Sequence, residues 1–142
     1  MILPDVNLLI HAYNPGAPQH EAARGWWART LTGTELVGLA WGTLLGFIRI
    51  TTSRTVLRNP VSTDDALRRV EAWLAQPNVR TLHPTHQHAE LLARFLRRAR
   101  AAGNLTTDAH LAALAIEHGC TLCSSDTDFA RFPGLSWHNP LA

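Results

Sequence analysis

Apolar positions along the chain form short continuous runs that alternate with longer segments in which apolar residues recur at helical spacing. The short runs predict four strands and a shorter fifth, at residues 1–5, 35–39, 79–82, 120–123 and 135–137. The longer segments predict six helices, at residues 7–13, 18–31, 41–52, 63–76, 86–101 and 107–118. This alternation predicts an α/β fold whose mostly parallel sheet is covered by helices on both faces.

Residues with special conformational or capping properties support two of these helix boundaries. Ser62 is a candidate N-cap for the fourth helix, and Asp64 and Asp65 occupy the first turn, where the helix dipole favours negative charge. Gly119 follows the last helix, and glycine commonly ends a helix because it adopts a left-handed backbone conformation without strain.

Acidic residues stand at the ends of two predicted strands that are far apart in the sequence. Asp5 ends the first strand, Asp126 and Asp128 follow the fourth strand, and Asp108 begins the helix that leads to it. Ligands of parallel α/β sheets gather beyond the carboxyl ends of the strands. Right-handed crossover connections would bring these acids to one edge of the sheet, although the sequence alone permits this convergence without showing it.

Clustered carboxylates favour a divalent cation. Two carboxylates about 4 Å apart repel each other by roughly 4 kcal/mol at an effective dielectric constant near 20, so such a group either binds protons or binds a cation. Oxygen ligands favour Mg²⁺ or Mn²⁺ over Zn²⁺. The acids therefore predict a metal centre of the kind that activates water and neutralises charge on a phosphoryl group.

Length and composition bound the class of protein. The 142 residues are 46% hydrophobic, which fits a single domain over 1–142 with a buried core. No apolar run approaches the roughly 20 residues that span a bilayer, so no membrane association is expected. The N-terminus lacks a basic start and a cleavage site, and the chain has only 2 cysteines, so we expect a cytoplasmic protein. A net charge of +2 permits a nucleic-acid partner without requiring one.

Three segments together resemble a known family. DVNLLIHAY near the N-terminus, GNLTTDAHLAALAIEHG and TLCSSDTDFARFPGL are similar, in order and spacing, to the motifs of PIN-domain proteins, specifically the VapC-type toxins of toxin–antitoxin pairs. The resemblance covers nearly the whole chain. It implies a three-layer α/β/α PIN-like domain and an endoribonuclease that depends on Mg²⁺, with Mn²⁺ as a possible substitute. It also implies RNA as the substrate, a cognate VapB-type antitoxin that blocks the site, and a homodimer.

The resemblance also assigns roles to individual residues. Asp5, Asp108 and Asp126 match the catalytic and metal-ligating aspartates of the family. Asn7 matches a polar residue that accompanies the first aspartate and orients it through hydrogen bonds, and Asp128 is expected to assist. A bound Mg²⁺ would activate water for attack on an RNA phosphodiester.

The chain departs from the family pattern at one position. Gly46 stands where PIN domains usually carry a glutamate, on the helix after the second strand, and no other acid lies between Glu35 and Asp64. We therefore expect weaker metal binding, or one well-held ion rather than two. Arg49, one turn beyond Gly46, is a candidate phosphate contact.

Other functions remain open at this point. The alternative to the enzyme is a catalytically weakened PIN-like module that acts mainly as an antitoxin-bound complex component or RNA binder, and Gly46 is the feature that supports it. A small-molecule phosphatase on a similar sheet would need a DxDx(T/V) loop after the first strand, where this chain has DVNLL. The SSDTDF segment also fits an Asx-turn, but it lacks the glycine and distal glutamate of an EF-hand.

Further side chains with chemical potential have structural explanations. Cys120 and Cys123 point to opposite faces of a strand, which disfavours a shared metal or a disulfide. The histidines of HPTHQH are interpreted as a loop and helix start, and His110 and His118 are judged weak general-base candidates. Arg94, Arg97 and Arg98 share one predicted helix face, with Arg100 close by. This row of arginines fits either a solvated surface or an RNA backbone contact.

Overall fold

A computed structural model of the chain describes residues 1–98 and 105–142. Its sheet consists of five parallel strands in the spatial order β3-β2-β1-β4-β5. The strands are β1 (Ile2–Pro4), β2 (Val37–Ala40), β3 (Val79–Leu82), β4 (Thr121–Cys123) and β5 (Trp137–His138). The prediction of a mostly parallel central sheet is confirmed.

Six α-helices lie within the described ranges. They are α1 (Val6–Tyr13), α2 (His20–Thr32), α3 (Trp41–Thr51), α4 (Thr63–Leu74), α5 (His88–Arg98) and α6 (Thr106–Glu117). A short 3₁₀-helix, Thr127–Arg131, follows β4. None of the helices in the described part of the chain has the length and apolar character needed to span a membrane.

Two apolar clusters pack on opposite faces of the sheet, which gives the three-layer α/β/α architecture. One cluster contains Leu3 of β1 and Leu122 of β4 together with apolar residues of α5 and α6. The other contains Val37 and Leu39 of β2 together with residues of α1 to α4, including Trp73. The alternation of side chains along each strand distributes the apolar residues between these two clusters. The sheet is therefore buried on both faces, as the alternation of strands and helices predicted.

The strand register aligns the carboxyl ends of β1 and β4. Pro4 pairs with Cys123, and the Asp5 backbone N–H donates to the Cys123 carbonyl at 2.8 Å, which extends the ladder by one residue. Because these central strands are parallel and in register, the loops that follow them emerge together at one edge. This edge, called the carboxyl edge below, positions the acidic residues.

Several predicted boundaries agree with the structure, and others shift by one or two residues. Ser62 caps α4 by accepting the Asp65 backbone N–H at 3.1 Å, and Gly119 ends α6 with a φ of 65°. Helix α5 begins at His88 rather than at residue 86, because Gln87 donates its backbone N–H to the Thr85 hydroxyl in a turn before it. The predicted end of this helix, at residue 101, lies outside the described residues.

Candidate functional site

Asp5 is fixed at the carboxyl edge by its neighbours on two strands. It stands at the N-cap position of α1 and is only 4% exposed. The Ser124 hydroxyl, at the end of β4, donates to Asp5 Oδ2 at 2.8 Å. Burial raises the pKa of Asp5, and the negative charge of Asp126 adds to this, while hydrogen bonds from Ser124 and from the backbone of Val6 and Asn7 oppose it; the net shift is upward.

Asp108 lies in the first turn of α6 and faces the other acids. Burial raises its pKa from 3.8 to about 6, and the charges of Asp5, Asp126 and Asp128 contribute in the same direction. The three other carboxylates destabilise the anionic form of Asp108, so negative charge is concentrated around it. Asp108 therefore belongs to a group of acids, and the preference of the helix dipole for an acid at a helix start does not by itself explain its position.

Asp108, Asp126 and Asp128 come together as a compact group. Each offers a carboxylate oxygen, and these oxygens lie within 4.8 Å of one another. Asp126 is oriented by its own backbone environment, since its Oδ1 accepts the Asp128 N–H at 2.9 Å and its N–H donates to the Ser124 hydroxyl at 3.0 Å. We call Asp5, Asp108, Asp126 and Asp128 the acidic cluster.

The auxiliary residues predicted from the sequence have different positions. Asn7 is exposed, and its backbone N–H donates a hydrogen bond to the Asp5 carboxylate. The Asn7 side chain makes no hydrogen bond within the described residues. Asp128 contributes one of the carboxylate oxygens of the compact group. Its side chain is 44% exposed, and its Oδ1 lies 3.6 Å from Arg131 Nε. The ligand roles of all these acids stay predictions.

Gly46 and Arg49 lie on α3, and Gly46 is next to the start of α1. A Cβ atom at Gly46 would contact Val6 Cγ2 at 3.4 Å, an ordinary van der Waals distance, and Val6 directly follows Asp5. Arg49 is exposed and has no acidic partner in the described part of the chain. The geometry leaves room for a side chain at Gly46 and leaves the Arg49 guanidinium free to meet an anion.

Three of the arginines predicted to share a helix face do border one open depression on α5. Arg94 is paired with Glu90 at 3.1 Å, whereas Arg97 and Arg98 extend the positive rim. Arg100 lies outside the described residues.

Ser124 is a site residue that sequence reasoning missed. Its side chain is fully buried and connects Asp5 to the backbone of Asp126. A buried hydroxyl that donates to a carboxylate holds the anion in place and partly offsets the cost of its burial. The signal was present in the SSD sequence directly after a strand, but only the pairing of β1 with β4 shows that the hydroxyl reaches Asp5.

A second feature that the sequence did not predict is a chain of hydrogen bonds that ends at His110, two residues after Asp108. The Glu117 side chain, with no exposed surface, accepts the Thr85 N–H at 2.7 Å and the Thr85 hydroxyl at 2.6 Å, and it bonds His88 Nδ1 at 2.5 Å. Burial opposes ionisation of Glu117, but the Thr85 and His88 hydrogen bonds outweigh it, and the pKa is lowered. His88 Nε2 in turn bonds His110 Nδ1 at 2.9 Å. Burial lowers the pKa of His110, and its interaction with His88 adds to this effect while Glu117 opposes it.

The donor set of the acidic cluster fits a hard divalent cation. It consists of carboxylate oxygens only, and the charges of Asp5, Asp126 and Asp128 add to the effect of burial in raising the pKa of Asp108. A cation would relieve this repulsion without a change in side-chain chemistry. The two cysteines are free and buried, and neither belongs to the group of potential metal ligands found among the described residues.

Comparisons with known proteins agree with this geometry. The family model for the PIN domain matches residues 2–135. Ribonuclease VapC33 of Mycobacterium tuberculosis is 46% identical over 141 residues, which cover 99% of each chain. Ribonuclease VapC37 of the same species is 39% identical over 142 residues, which cover 100% of this chain and 99% of the relative.

Solved structures with low sequence identity share the fold. FitAcB from Neisseria gonorrhoeae superposes with a TM-score of 0.71 at 21% identity, covering 99% of this chain and 98% of that chain. VapBC-1 from nontypeable Haemophilus influenzae gives a TM-score of 0.69 at 19% identity and covers 100% of both chains. VapC20 of Mycobacterium tuberculosis, described as a Sarcin-Ricin loop cleaving toxin, gives 0.68 at 21% identity, covering 92% of this chain and 93% of that chain. With its parallel sheet, its acidic cluster and these relatives, the chain belongs to the PIN-domain family and, within it, to the VapC proteins.

Proposed function

We propose that this protein is a divalent-metal-dependent endoribonuclease that acts as the toxin of a VapBC-type toxin–antitoxin pair. The observation that carries the proposal is the convergence of four aspartates, from three separate parts of the chain, at the carboxyl edge of the sheet. Near full-length relatives that are named ribonucleases support the activity.

The proposed ligands are Asp5, Asp108 and Asp126, with Asp128 in an assisting role. Mg²⁺ is the proposed ion, and Mn²⁺ is the expected substitute, because both prefer oxygen ligands. When bound, such an ion lowers the pKa of water and neutralises charge that develops on a phosphodiester. The protein's own part is to hold the carboxylates in place before substrate arrives, and Ser124 does this for Asp5.

Positive groups near the cluster are proposed to hold the substrate backbone. Arg49 has an exposed guanidinium on the helix that packs beside Asp5, which suits a phosphate contact. Because the acidic cluster repels phosphates in the absence of a cation, both the ion and nearby guanidinium groups are needed to attract RNA to this edge.

The proposed protein partners are a cognate VapB-type antitoxin and a second copy of the chain. VapBC-1, which shares the fold, is a VapBC protein, and this supports the antitoxin. For self-association, α3 offers exposed apolar surface, with Trp41 45% exposed and Leu45 59% exposed one turn apart. We further propose that residues 1–142 act as one domain in the cytoplasm.

The test is cleavage of total RNA by the purified protein with EDTA, Mg²⁺ or Mn²⁺. We expect cleavage only with a divalent ion and at least a 100-fold loss in Asp5→Ala and Asp108→Ala, because each removes a charged ligand. Asp64→Asn is the matched control, since Asp64 is an exposed acid in the first turn of another helix. Cleavage that persists unchanged in both alanine variants would discard the assignment.

The alternative, a module that has lost efficient chemistry because of Gly46, is less well supported. Its motivation was the missing glutamate, but a relative that is 46% identical over the whole chain is named a ribonuclease. Calorimetric titration with Mn²⁺ separates the two functions. Binding that weakens in Asp108→Ala agrees with the enzyme, whereas the binding module requires no metal affinity at all.

A further inference from the structure

Three adjoining depressions on the outer side of α5 form one groove. They adjoin at Arg94, which lines all three of them. Arg97 and Arg98 extend the α5 wall, and the opposite wall is formed by Ile116 of α6 and by Pro133, in the loop before β5. We call this surface the arginine groove. It lies on the face of the sheet that α5 and α6 cover.

The rim of the arginine groove carries positive charge that the protein itself does not neutralise. Arg94 is paired with Glu90, but the two side chains are 59% and 78% exposed, and such pairs are weak in water. Arg97 and Arg98 form no ion pair within the described residues, which include every aspartate and glutamate of the sequence. Arg94 and Arg98 are one turn apart, about 6 Å along the helix axis, so their guanidinium groups can contact neighbouring negative charges of an extended polymer.

The floor of the groove is apolar, and this narrows the class of polymer. Leu91 and Ile116 are half-buried, and Phe95 is buried. Phosphates alone would gain nothing from contact with such a floor. A nucleobase has an apolar face that can cover it, and each nucleotide also supplies one phosphate to the arginines. A single-stranded nucleic acid therefore satisfies the rim and the floor together.

The groove shares two structural elements with the acidic cluster. Helix α6 carries Asp108 in its first turn and Ile116 near its end. Pro133 follows the 3₁₀-helix that begins directly after Asp126. Without a cation the acidic cluster repels phosphates, so affinity for RNA has to come from positive groups outside it. The arginine groove supplies such groups on elements that also hold the acids.

We propose that the arginine groove is a second RNA-binding surface, which holds a single-stranded segment of the substrate outside the acidic cluster. Phosphates contact Arg94, Arg97 and Arg98, and a base covers the apolar floor. The inference rests on the proposed function, which makes RNA the polymer. It assigns part of the affinity for substrate to a surface that contains none of the proposed metal ligands.

Fluorescence anisotropy of a labelled oligouridylate in EDTA tests this inference, because binding is then measured without cleavage. The double variant Arg97→Gln/Arg98→Gln should weaken binding by roughly 10- to 30-fold at about 0.1 M salt. It should also reduce the slope of log K against log salt concentration by about 1.4, since each phosphate contact to a single strand contributes about 0.7. The matched control is Arg24→Gln/Arg29→Gln, which removes the same charge from exposed positions of α2, on the opposite face of the sheet. We expect it to change affinity by less than about 2-fold, because solvent and salt screen distant charges.

A gain of affinity provides a test that a misfolded variant cannot imitate. Glu90→Gln releases Arg94 from its ion pair and removes a negative charge from the rim, so it should tighten oligouridylate binding by roughly 2- to 5-fold. Glu71→Gln is its control, because Glu71 is an exposed acid of α4 on the other face of the sheet, and it should leave the affinity at the wild-type value.

Two results would overturn the inference. One is a double arginine variant that binds oligouridylate with wild-type affinity and salt dependence. The other is competition by polyglutamate that is as strong as competition by oligouridylate of equal charge, because the groove would then accept any acidic polymer, including an acidic peptide of a protein partner. The proposed function can fail separately: RNA that binds through the groove but is not cleaved with Mg²⁺ or Mn²⁺ overturns the ribonuclease and supports the RNA-binding surface.

Discussion

Replacement of Asp108 by asparagine should stabilise the metal-free protein. The side chain keeps nearly the same shape, but the variant no longer buries a charge at this position, and no charge there opposes those of Asp5, Asp126 and Asp128. Raising the pKa of Asp108 from 3.8 to about 6 corresponds to at most about 3 kcal/mol of destabilisation at neutral pH. Because Asp108 is partly exposed and solvent screens these repulsions, we expect a gain of about 1–2 kcal/mol in the free energy of unfolding of Asp108→Asn.

The gain should depend on pH with a definite sign. Because the folded-state pKa of Asp108 lies above its unfolded value, the folded protein holds this proton more tightly, and the contribution of Asp108 to stability falls as pH rises from about 4 to about 6. Asp108→Asn lacks this loss. The two proteins should therefore differ little through this residue below pH 4 and differ by the full amount at pH 7 and above.

Urea unfolding in EDTA, followed by tryptophan fluorescence at pH 4.0 and pH 7.5, measures this difference. Saturating Mg²⁺ should reverse the order of stability, since ion at about 100 times its Kd stabilises the wild type by about 2.7 kcal/mol and the variant by less. Asp64→Asn serves as the control and should be neutral or slightly destabilising, because Asp64 has a favourable position at the start of α4. An Asp108→Asn protein that is less stable than the wild type in EDTA at pH 7.5 would refute the electrostatic reasoning.

Three further changes test other parts of the site and fold. Ser124→Ala should lower the free energy of unfolding, measured in urea, by about 1–3 kcal/mol and weaken Mn²⁺ binding measured by calorimetry. The reason is that the Asp5 carboxylate and the Asp126 N–H each lose a hydrogen-bond partner. The control, Ser125→Ala, should change neither quantity. Gly46→Glu should tighten Mn²⁺ binding, since a side chain fits beside Val6, and unchanged affinity would mean that the new carboxylate does not reach the cluster. Gly38→Ala should lower the free energy of unfolding by about 1–3 kcal/mol, because its Cβ would overlap the Leu82 side chain; wild-type stability would show that Leu82 moves aside without cost.

Elements with a strong local signal were predictable from the chain alone. The apolar runs of the strands, the Ser62 cap and the Gly119 stop depend on residues within a few positions of one another, and they agree with the structure. The 3₁₀-helix after β4 was missed because it is short and depends on a single turn capped by Asp126. Shifts at helix ends have the same origin, as in the turn at Thr85 that delays the start of α5.

The candidate site was predictable in its acids but not in what surrounds them. Strand ends and a helix start named Asp5, Asp108 and Asp126 as candidates, while the family resemblance supplied their roles. Ser124 and the pair His88–Glu117 could not be predicted, because each acts through a partner that is distant in sequence. No local pattern records such a partner.

The sequence by itself determined the alternation of strands and helices, the oxygen-only chemistry of the acidic residues and the absence of a glutamate at position 46. Only the tertiary structure decided that β1 and β4 are neighbours, and this pairing brings Asp5 to Ser124 and Asp126. It also decided that a histidine interpreted as part of a loop and helix start is buried against Glu117 and orients His110. The physical reason is that hydrophobic patterning acts over a few residues, whereas burial, repulsion between charges and hydrogen bonding across strands depend on distances that exist only after the chain has folded.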